Sequence, residues 1–401
     1  MIIELVFLAT TVFFTTPFLY AETVGSLLSI KQPAVYIDVK TNNDEYTARG
    51  AEKTVALVKH KHVLVVFIHG TLFPIPSLSS MQKWAGDRFK GSARSLSYSE
   101  LLREKSIFRH QPIGSMGLNP VVPDWSGRAN GAELMSFFFQ EMYKLLPQEE
   151  WRTIHPYTFG WDGSLSLIRR KNQARFLLQG LQEAFTTLQQ QCPQEGVEII
   201  VIAHSHGGNL ALHMADWSKE SESFAIDHVF MFGTPIHGDT QHLAAASLFK
   251  HVYNIHSEGD FIQIADVVST SKYMLGRVFA DEKVLSSPSV KQIAVEIDNY
   301  KPNHSELWFF RRASVFFFRA GLPIAPLPVA AFTPLLLHQI KKTKQSEHFL
   351  KWILNKDSSN LSVNLVPYQD YWQNSLAKFH QYENRFDFSR ILNKLPLILN
   401  E

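Results

Sequence analysis

Ser205 is the residue of this chain best placed to act as a nucleophile. It lies in the segment Ala203-His-Ser-His-Gly207, directly after the apolar run Val197–Ile202 and before a stretch with helical spacing. A serine hydroxyl becomes a useful nucleophile when a sharp turn pushes it out of the backbone toward a base. Small residues on both sides of the serine let strand and helix cross closely. The segment therefore predicts a strand, a nucleophile turn and a helix.

A second chemical element lies upstream, where the apolar run Val63–Ile68 ends abruptly in His69-Gly70-Thr71. Ester hydrolysis passes through a tetrahedral oxyanion, and losing one preorganised N–H donor to that oxyanion costs about 3 kcal/mol. We predict the backbone amides of Thr71 and His206 as the two donors, with Leu72 as second choice to Thr71. The simpler alternative is an ordinary turn that ends a strand. The supporting residues of the two turns are His69, Gly70 and Gly207.

The segments AHSHGG and VFIHGT resemble those of the α/β-hydrolase superfamily, and within it those of lipases and esterases. A third segment, Phe232-Gly-Thr-Pro-Ile-His-Gly238, is similar to a glycine-threonine-proline-x-histidine-glycine stretch common in lipases. The resemblance covers about residues 60 to 310. It departs from the usual pattern at Ala203, where glycine is commoner. It implies an α/β fold with a mostly parallel central sheet, helices on both faces and a serine-dependent ester hydrolase activity.

The order of catalytic residues in this fold is serine, then acid, then histidine. The strand-like run His251–Ile255 is followed by a turn that presents Asp260, and the run Lys291–Ile297 is followed by a loop that presents His304. His304 is the predicted general base for Ser205, and Asp260 is predicted to orient the imidazole and stabilise the imidazolium. Other candidates for the acid are Glu258, Asp266 and Asp239, and other candidates for the base are His237, His242 and His256.

Strand-like and helix-like segments alternate from Val63 to Phe318, which predicts a mostly parallel sheet covered on both faces. The catalytic residues of such a sheet lie at the carboxyl ends of its strands. Helices are predicted over Ala129–Leu146 and Ser164–Gln191, and a further helix is predicted to begin after His304.

The chain divides into four predicted regions. Residues 1–21 are an apolar signal peptide or membrane anchor, although Glu4 and Pro17 are unusual in a cleaved signal; the alternative is a cytoplasmic protein with a buried helix. Residues 22–310 form the hydrolase domain. Its insertion, residues 72–128, is either a lid over an apolar substrate or a surface insertion without a role in catalysis. Residues 311–401 are a C-terminal extension, apolar and proline-rich at first and then a folded peripheral segment.

Composition narrows the function further. The 401 residues are 45% hydrophobic and 19% charged, as in a globular protein, and the net charge of +2 points to no charged partner. Nucleic acid is not expected, because basic clusters with interleaved aromatic residues are absent. Cationic residues flank the apolar, proline-rich stretch Ala320–Leu337 and suit a membrane surface, and the alternative is that this stretch is buried against the domain. The sequence gives no indication of oligomeric state.

No cofactor or metal is expected. The 17 histidines form no His-Glu-x-x-His motif, Cys192 is the only cysteine, and no phosphate-binding glycine loop stands out. The predicted function is therefore hydrolysis of carboxylic esters, with lipids or other apolar acyl esters as substrates, through an acyl-enzyme. The alternatives are an acyltransferase with the same triad and a binding protein that has the hydrolase fold without turnover.

Overall fold

The computed structural model describes residues 60–72, 110–124, 129–218, 224–265, 274–310, 327–343, 347–357 and 360–368. The strands are β1 (His60–Ile68), β2 (Gly117–Pro120), β3 (Thr153–Gly160), β4 (Gly196–His204), β5 (Ile226–Phe232), β6 (Ile236–His237), β7 (Phe249–His256), β8 (Met274–Gly276), β9 (Val290–Ile297), β10 (Phe349–Asp357) and β11 (Asn360–Pro367). The α-helices are α1 (Gly131–Lys144), α2 (Leu167–Gln191), α3 (His206–Leu212), α4 (Ile262–Ala265), α5 (Glu282–Leu285) and α6 (Thr333–Thr343). Short 3-10 helices cover Gln148–Glu150, His213–Asp216, Gln241–Ala245 and Val329–Phe332.

Within these residues, nine strands form one sheet in the order β11-β10-β9-β7-β5-β4-β1-β3-β2. All neighbouring pairs are parallel except β2 with β3 and β10 with β11, so the antiparallel strands lie at the two edges. The short strands β6 and β8 form a separate antiparallel pair. The mostly parallel sheet expected from the sequence is confirmed, and with it the α/β-hydrolase fold.

Both faces of the sheet are covered, as a parallel sheet requires. The central strands β4 and β5 are buried along nearly their whole length, because every side chain of a central strand meets a helix on one face or the other. On one face the strands pack against α1, the 3-10 helix Val329–Phe332 and α6. On the other face they pack against α2 and α3.

Helix α1 begins at a capping box that the sequence encodes. The Asn130 side chain accepts hydrogen bonds from the backbone N–H groups of Ala132 and Glu133, and the Glu133 carboxylate accepts one from the Asn130 N–H at 2.7 Å. These bonds satisfy donors that a helix start leaves free. The helix agrees with the predicted crossover Ala129–Leu146 to within two residues at each end.

The described part of the predicted C-terminal extension joins the same core and the same sheet. Strand β10 pairs in parallel with β9 and in antiparallel with β11. Residues 328–337 are buried in the core. Helix α6 is also held by Lys341, whose ammonium lies 2.7 Å from the buried Glu198 carboxylate, and by His338, which lies 2.9 Å from Glu150. The extension therefore completes one edge of the sheet.

Several sequence predictions lie outside the described residues: the N-terminal segment 1–21, most of the insertion (73–109 and 125–128), and residues 311–326 and 369–401. Inside the insertion, β2 pairs with β3 at the sheet edge. In the described residues up to 310, the helix predicted after His304 is replaced by turns over residues 304–308, and the rest of that predicted helix lies outside the described residues. No helix among the described residues is both long and apolar enough to cross a membrane.

Candidate active site

Ser205 occupies a strained turn between β4 and α3. Its backbone has φ 53° and ψ −132°, a region that residues with a side chain rarely adopt. The Ser205 N–H donates to the Phe232 carbonyl at 2.9 Å, and the Ser205 carbonyl accepts the Gly208 N–H at 2.9 Å. These bonds on both sides of the serine hold a strand-turn-helix geometry in which a nucleophile points out of the backbone.

The glycines after Ser205 are required by close packing. A Cβ placed at Gly207 would lie 2.6 Å from the His69 carbonyl oxygen, and one at Gly208 would lie 2.1 Å from the Thr234 hydroxyl oxygen. Helix α3 therefore begins in contact with the end of β1 and with the segment after β5. This contact brings the turn at Ser205 next to His69-Gly70-Thr71, the segment predicted to stabilise the oxyanion.

Asp260 and His304 are directly hydrogen-bonded. The Asp260 side chain is fully buried, and its Oδ2 atom accepts from His304 Nδ1 at 2.7 Å. Because a carboxylate only accepts, Nδ1 carries a proton, and Nε2 is then the ring nitrogen that can take one up. The pair has the arrangement of an orienting acid and a general base.

The pair lies close to Ser205, at the carboxyl ends of the central strands. Gly233, with φ 61°, follows the residue whose carbonyl holds the Ser205 amide. A Cβ at Gly233 would lie 2.9 Å from Asp260 Oδ2 and 3.1 Å from His304 Nδ1. Among the described residues, no hydrogen bond joins the Ser205 hydroxyl to His304. Such catalytic hydrogen bonds are often long without a substrate and shorten in the complex.

The competing acids and bases occupy other positions. The Glu258 carboxylate is bonded to the Lys301 ammonium and accepts from the Tyr368 hydroxyl at 3.3 Å. Asp266 lies outside the described residues. His256 is fully buried at the end of β7, and burial lowers its pKa to about 3. His237 packs beside the ring of His206, and His242 is exposed on the 3-10 helix Gln241–Ala245.

The segment after β1 packs directly against Ser205. A Cβ at Gly70 would lie 2.7 Å from Ser205 Cβ, so only glycine fits there without a shift. His69 Nδ1 donates to the Gly70 carbonyl at 2.7 Å, and Trp161 donates from its indole to the His69 carbonyl at 2.7 Å. A trans peptide places its N–H opposite its C=O, so fixing the Gly70 carbonyl also fixes the direction of the Thr71 N–H.

Thr71 differs from its neighbour Leu72 in what surrounds it. The Thr71 hydroxyl oxygen is buried and has no hydrogen-bond partner in the described part of the chain. The Leu72 backbone packs closely on another loop, since a Cβ at Gly163 would lie 2.7 Å from the Leu72 nitrogen. The Thr71 amide remains the predicted oxyanion donor, with Leu72 as second choice.

His206 carries the other predicted oxyanion amide. It is the first residue of α3, where the backbone N–H has no partner within the helix. Its ring accepts a hydrogen bond at Nδ1 from the buried Arg170 guanidinium at 3.1 Å. A guanidinium cation therefore contacts the ring of the residue that follows Ser205.

The turn that carries His304 is held by a polar network that sequence reasoning missed. The Asn303 side chain accepts from the N–H groups of Ser305 and Glu306, and the buried Glu306 carboxylate accepts from the Asn303 N–H at 2.8 Å and from the Tyr300 hydroxyl at 2.9 Å. Asn303-x-x-Glu306 is a capping-box pattern, so this signal was present in the sequence. The pairing of His69 with Trp161 had no such local signal.

Comparison with known proteins concerns the fold and the general class of the protein. The fold and the strand-end site define an α/β-hydrolase. A family model described as Lipase (class 3) matches residues 132–268, about a third of the chain, and the matched segment contains Ser205 and Asp260. This match places the chain among the lipase-like serine hydrolases of that superfamily. No curated protein and no solved structure gave a significant match.

Proposed function

We propose that this protein hydrolyses carboxylic esters with apolar acyl chains, using Ser205 as nucleophile, His304 as general base and Asp260 as orienting acid. The single observation that carries the proposal is the positive-φ turn at Ser205, which lies beside the buried Asp260–His304 pair at the carboxyl ends of the strands. The lipase family match supports the general class, a serine-dependent ester hydrolase. The residue roles and the acyl preference are our proposal.

In the proposed reaction, His304 Nε2 takes the Ser205 hydroxyl proton while the serine oxygen attacks the ester carbonyl. The oxyanion that forms is stabilised by the backbone N–H groups of Thr71 and His206. His304 then returns the proton to the departing alcohol, which leaves an acyl-enzyme. Water repeats the cycle and releases the acid, and Asp260 stays ionised throughout, stabilising the imidazolium.

The proposed acyl preference is supported by apolar side chains next to the catalytic acid. Phe261 and Ile262 follow Asp260 directly, and their side chains are 71% and 48% exposed. Phe309, partly buried, packs edge-on against the ring of His204. Exposed aromatic and aliphatic groups beside a catalytic pair favour an apolar substrate, because covering them releases water from apolar surface.

The nucleophile is tested with a fluorophosphonate probe, which reacts covalently with activated serines. We expect the protein to be labelled and Ser205→Ala to lose labelling, while Ser218→Ala, a serine of the loop after the 3-10 helix His213–Asp216, retains it. Unchanged labelling of Ser205→Ala would reject the nucleophile. Product analysis with and without an added alcohol separates hydrolysis from acyl transfer.

The acyl preference is tested with p-nitrophenyl esters from acetate to palmitate. We expect kcat/KM to rise with chain length, and we expect Phe261→Ser to reduce this rise. Phe176→Ser, which changes another exposed phenylalanine, on α2, is the matched control. A clear preference of the wild-type protein for acetate would contradict the apolar substrate and leave the esterase mechanism intact.

A further inference from the structure

We propose that His204 is a positioning residue that fixes His304 relative to Ser205, a role that rests on the proposed function. His204 is the last residue of β4 and the immediate neighbour of the nucleophile. Its side chain is buried, and its Nε2 atom lies 3.1 Å from the backbone carbonyl oxygen of His304. One imidazole thus links the strand that carries the nucleophile to the turn that carries the base, across 100 positions of sequence.

The hydrogen bond defines the chemical state of His204. A carbonyl oxygen only accepts, so Nε2 must carry a proton. Burial lowers the pKa of His204 well below its ordinary value, and the nearby His304 lowers it further. The ring is therefore neutral, with its one proton on Nε2 and a lone pair on Nδ1. A neutral neighbour adds no repulsion when His304 becomes charged during catalysis.

Ring contacts add to the hydrogen bond. The His204 ring lies 4.4 Å from the His304 ring and stacks on the buried Trp308 ring at 5.3 Å, with an interplanar angle of 6°. His204 therefore contacts both ends of the turn 304–308. On its other side, a Cβ at Gly70 would lie 3.2 Å from His204 Nδ1. The His204 ring therefore lies between the turn 304–308, which carries His304, and the segment His69-Gly70-Thr71.

This placement has a kinetic consequence. General base catalysis requires the imidazole nitrogen within hydrogen-bond reach of the serine hydroxyl, and a misplacement of about 1 Å can lower the rate by about 10²-fold. The His304 carbonyl is one bond away from the Cα that carries the catalytic side chain. Holding that carbonyl therefore restricts the position of the base without touching the substrate.

The test compares two amides that differ only in reach. In His204→Gln, the side-chain nitrogen can occupy the place of Nε2, whereas in His204→Asn it is one methylene too short. We expect the Gln variant to keep kcat within about threefold of wild type and the Asn variant to lose about 10- to 100-fold, with KM changed by less than about twofold in both. A role in folding alone would not produce this split between kcat and KM, nor the rescue by Gln.

His204→Phe keeps a ring of similar shape without the donor, and we expect it to lose kcat as the Asn variant does. His242→Phe makes the same substitution at an exposed position and serves as its control. Circular dichroism verifies the folding of each variant. Equal kcat in the folded Gln and Asn variants would overturn the positioning role. If His204→Gln lost activity while His304→Ala retained it, His204 would be the general base, and this result would also overturn the positioning role. A wild-type protein without esterase activity or probe labelling would reject the proposed function, and this role with it.

Discussion

Asp260 uses its two carboxylate oxygens for two separate contacts. Oδ2 accepts from His304 Nδ1 at 2.7 Å, while Oδ1 accepts from the backbone N–H groups of Ile262 at 2.9 Å and Gln263 at 3.2 Å. The second set of bonds is the ordinary one for an aspartate that caps a helix start. Here it also fixes the rotamer of the carboxylate, so that the oxygen facing His304 has no freedom to turn away.

Replacing Asp260 with Asn should therefore lower kcat by about 10⁴-fold with little loss of fold. The amide can retain the bonds to the helix start through its oxygen, but its NH₂ group then faces His304 and favours the tautomer with the proton on Nε2. That tautomer cannot accept the serine proton. The measurement is steady-state hydrolysis of a p-nitrophenyl ester.

The control for this change is Glu258→Gln, which neutralises a carboxylate two residues away that is paired with Lys301. It should retain nearly full activity. If Glu258→Gln were the inactive variant and Asp260→Asn the active one, the acid would have been assigned to the wrong residue.

Gly233 should not tolerate a side chain, for two reasons that can be separated. Its φ of 61° disfavours any other residue by about 1–2 kcal/mol, and a Cβ would press on Asp260 Oδ2 and His304 Nδ1. Gly233→Ala should therefore reduce kcat at least tenfold in addition to destabilising the protein. The measurements are kcat and the urea midpoint of unfolding.

Gly117 offers a matched control, because its φ is 83° and nothing lies within 4 Å of a Cβ placed there. Gly117→Ala should lose similar stability from the backbone conformation alone and keep its kcat. Similar kcat values in the two alanine variants would show that the contact at Gly233 has no bearing on the catalytic pair.

The sequence predicts the central elements of this fold because their signals are local. Val63–Ile68 and Val197–Ile202 are apolar runs of strand length that end in glycine-containing turns, and the structure places them as adjacent parallel strands. Strand β2 has no such signal, since it is four residues long and ends in proline at the sheet edge. Residues 345–401 are predicted only as a folded peripheral segment, and in the described structure strands β10 and β11 of that segment form the other edge of the sheet.

The residues around the predicted triad were harder to foresee because their partners are distant in sequence. Trp161 holds His69 from the end of β3, and Arg170 reaches His206 from α2. These pairs arise only when the sheet order brings neighbouring strands and helices together. Residue type and spacing identify the groups that can do chemistry, whereas the groups that hold them depend on packing across the sheet.

The buried hydroxyl of Thr71 predicts a third donor to the oxyanion. It has no partner among the described residues and belongs to the residue whose amide is the predicted donor. An unpaired buried hydroxyl is unfavourable unless a ligand satisfies it. Thr71→Val, which keeps the branched shape, should lower kcat by about 10²-fold, whereas Thr71→Ser should stay near wild type.

For Thr71, the discriminating measurement is kcat together with the rate of labelling by a fluorophosphonate, whose phosphoryl oxygen occupies the place of the oxyanion. Both should fall in the Val variant. Equal rates in the Val and Ser variants would mean that the hydroxyl does not reach the oxyanion.

Buried histidines should make the protein sensitive to acid. Burial, together with a smaller effect of the nearby Arg277 guanidinium, lowers the pKa of His256 from its ordinary 6.5 to about 3. The native state therefore favours the neutral ring, while the unfolded chain takes up a proton near pH 6.5. Above pH 6.5 the ring is neutral in both states, and the free energy of unfolding is not reduced by this histidine. As the pH falls from 6.5 toward 3, the free energy of unfolding decreases by up to about 1.4 kcal/mol per pH unit.

His256→Gln removes this proton uptake. Between pH 6.5 and pH 4 its free energy of unfolding should therefore fall less steeply with pH than that of the wild type, and the difference in slope should correspond to about one proton. The other buried histidines, among them His204 and His228, keep a slope in the variant because their pKa values are also lowered by burial. His242→Gln, at an exposed position, is the control for replacing a histidine with glutamine. Urea unfolding at several pH values measures all three proteins, and identical slopes for wild type and His256→Gln would mean that the His256 ring is already protonated in the native state or solvated there.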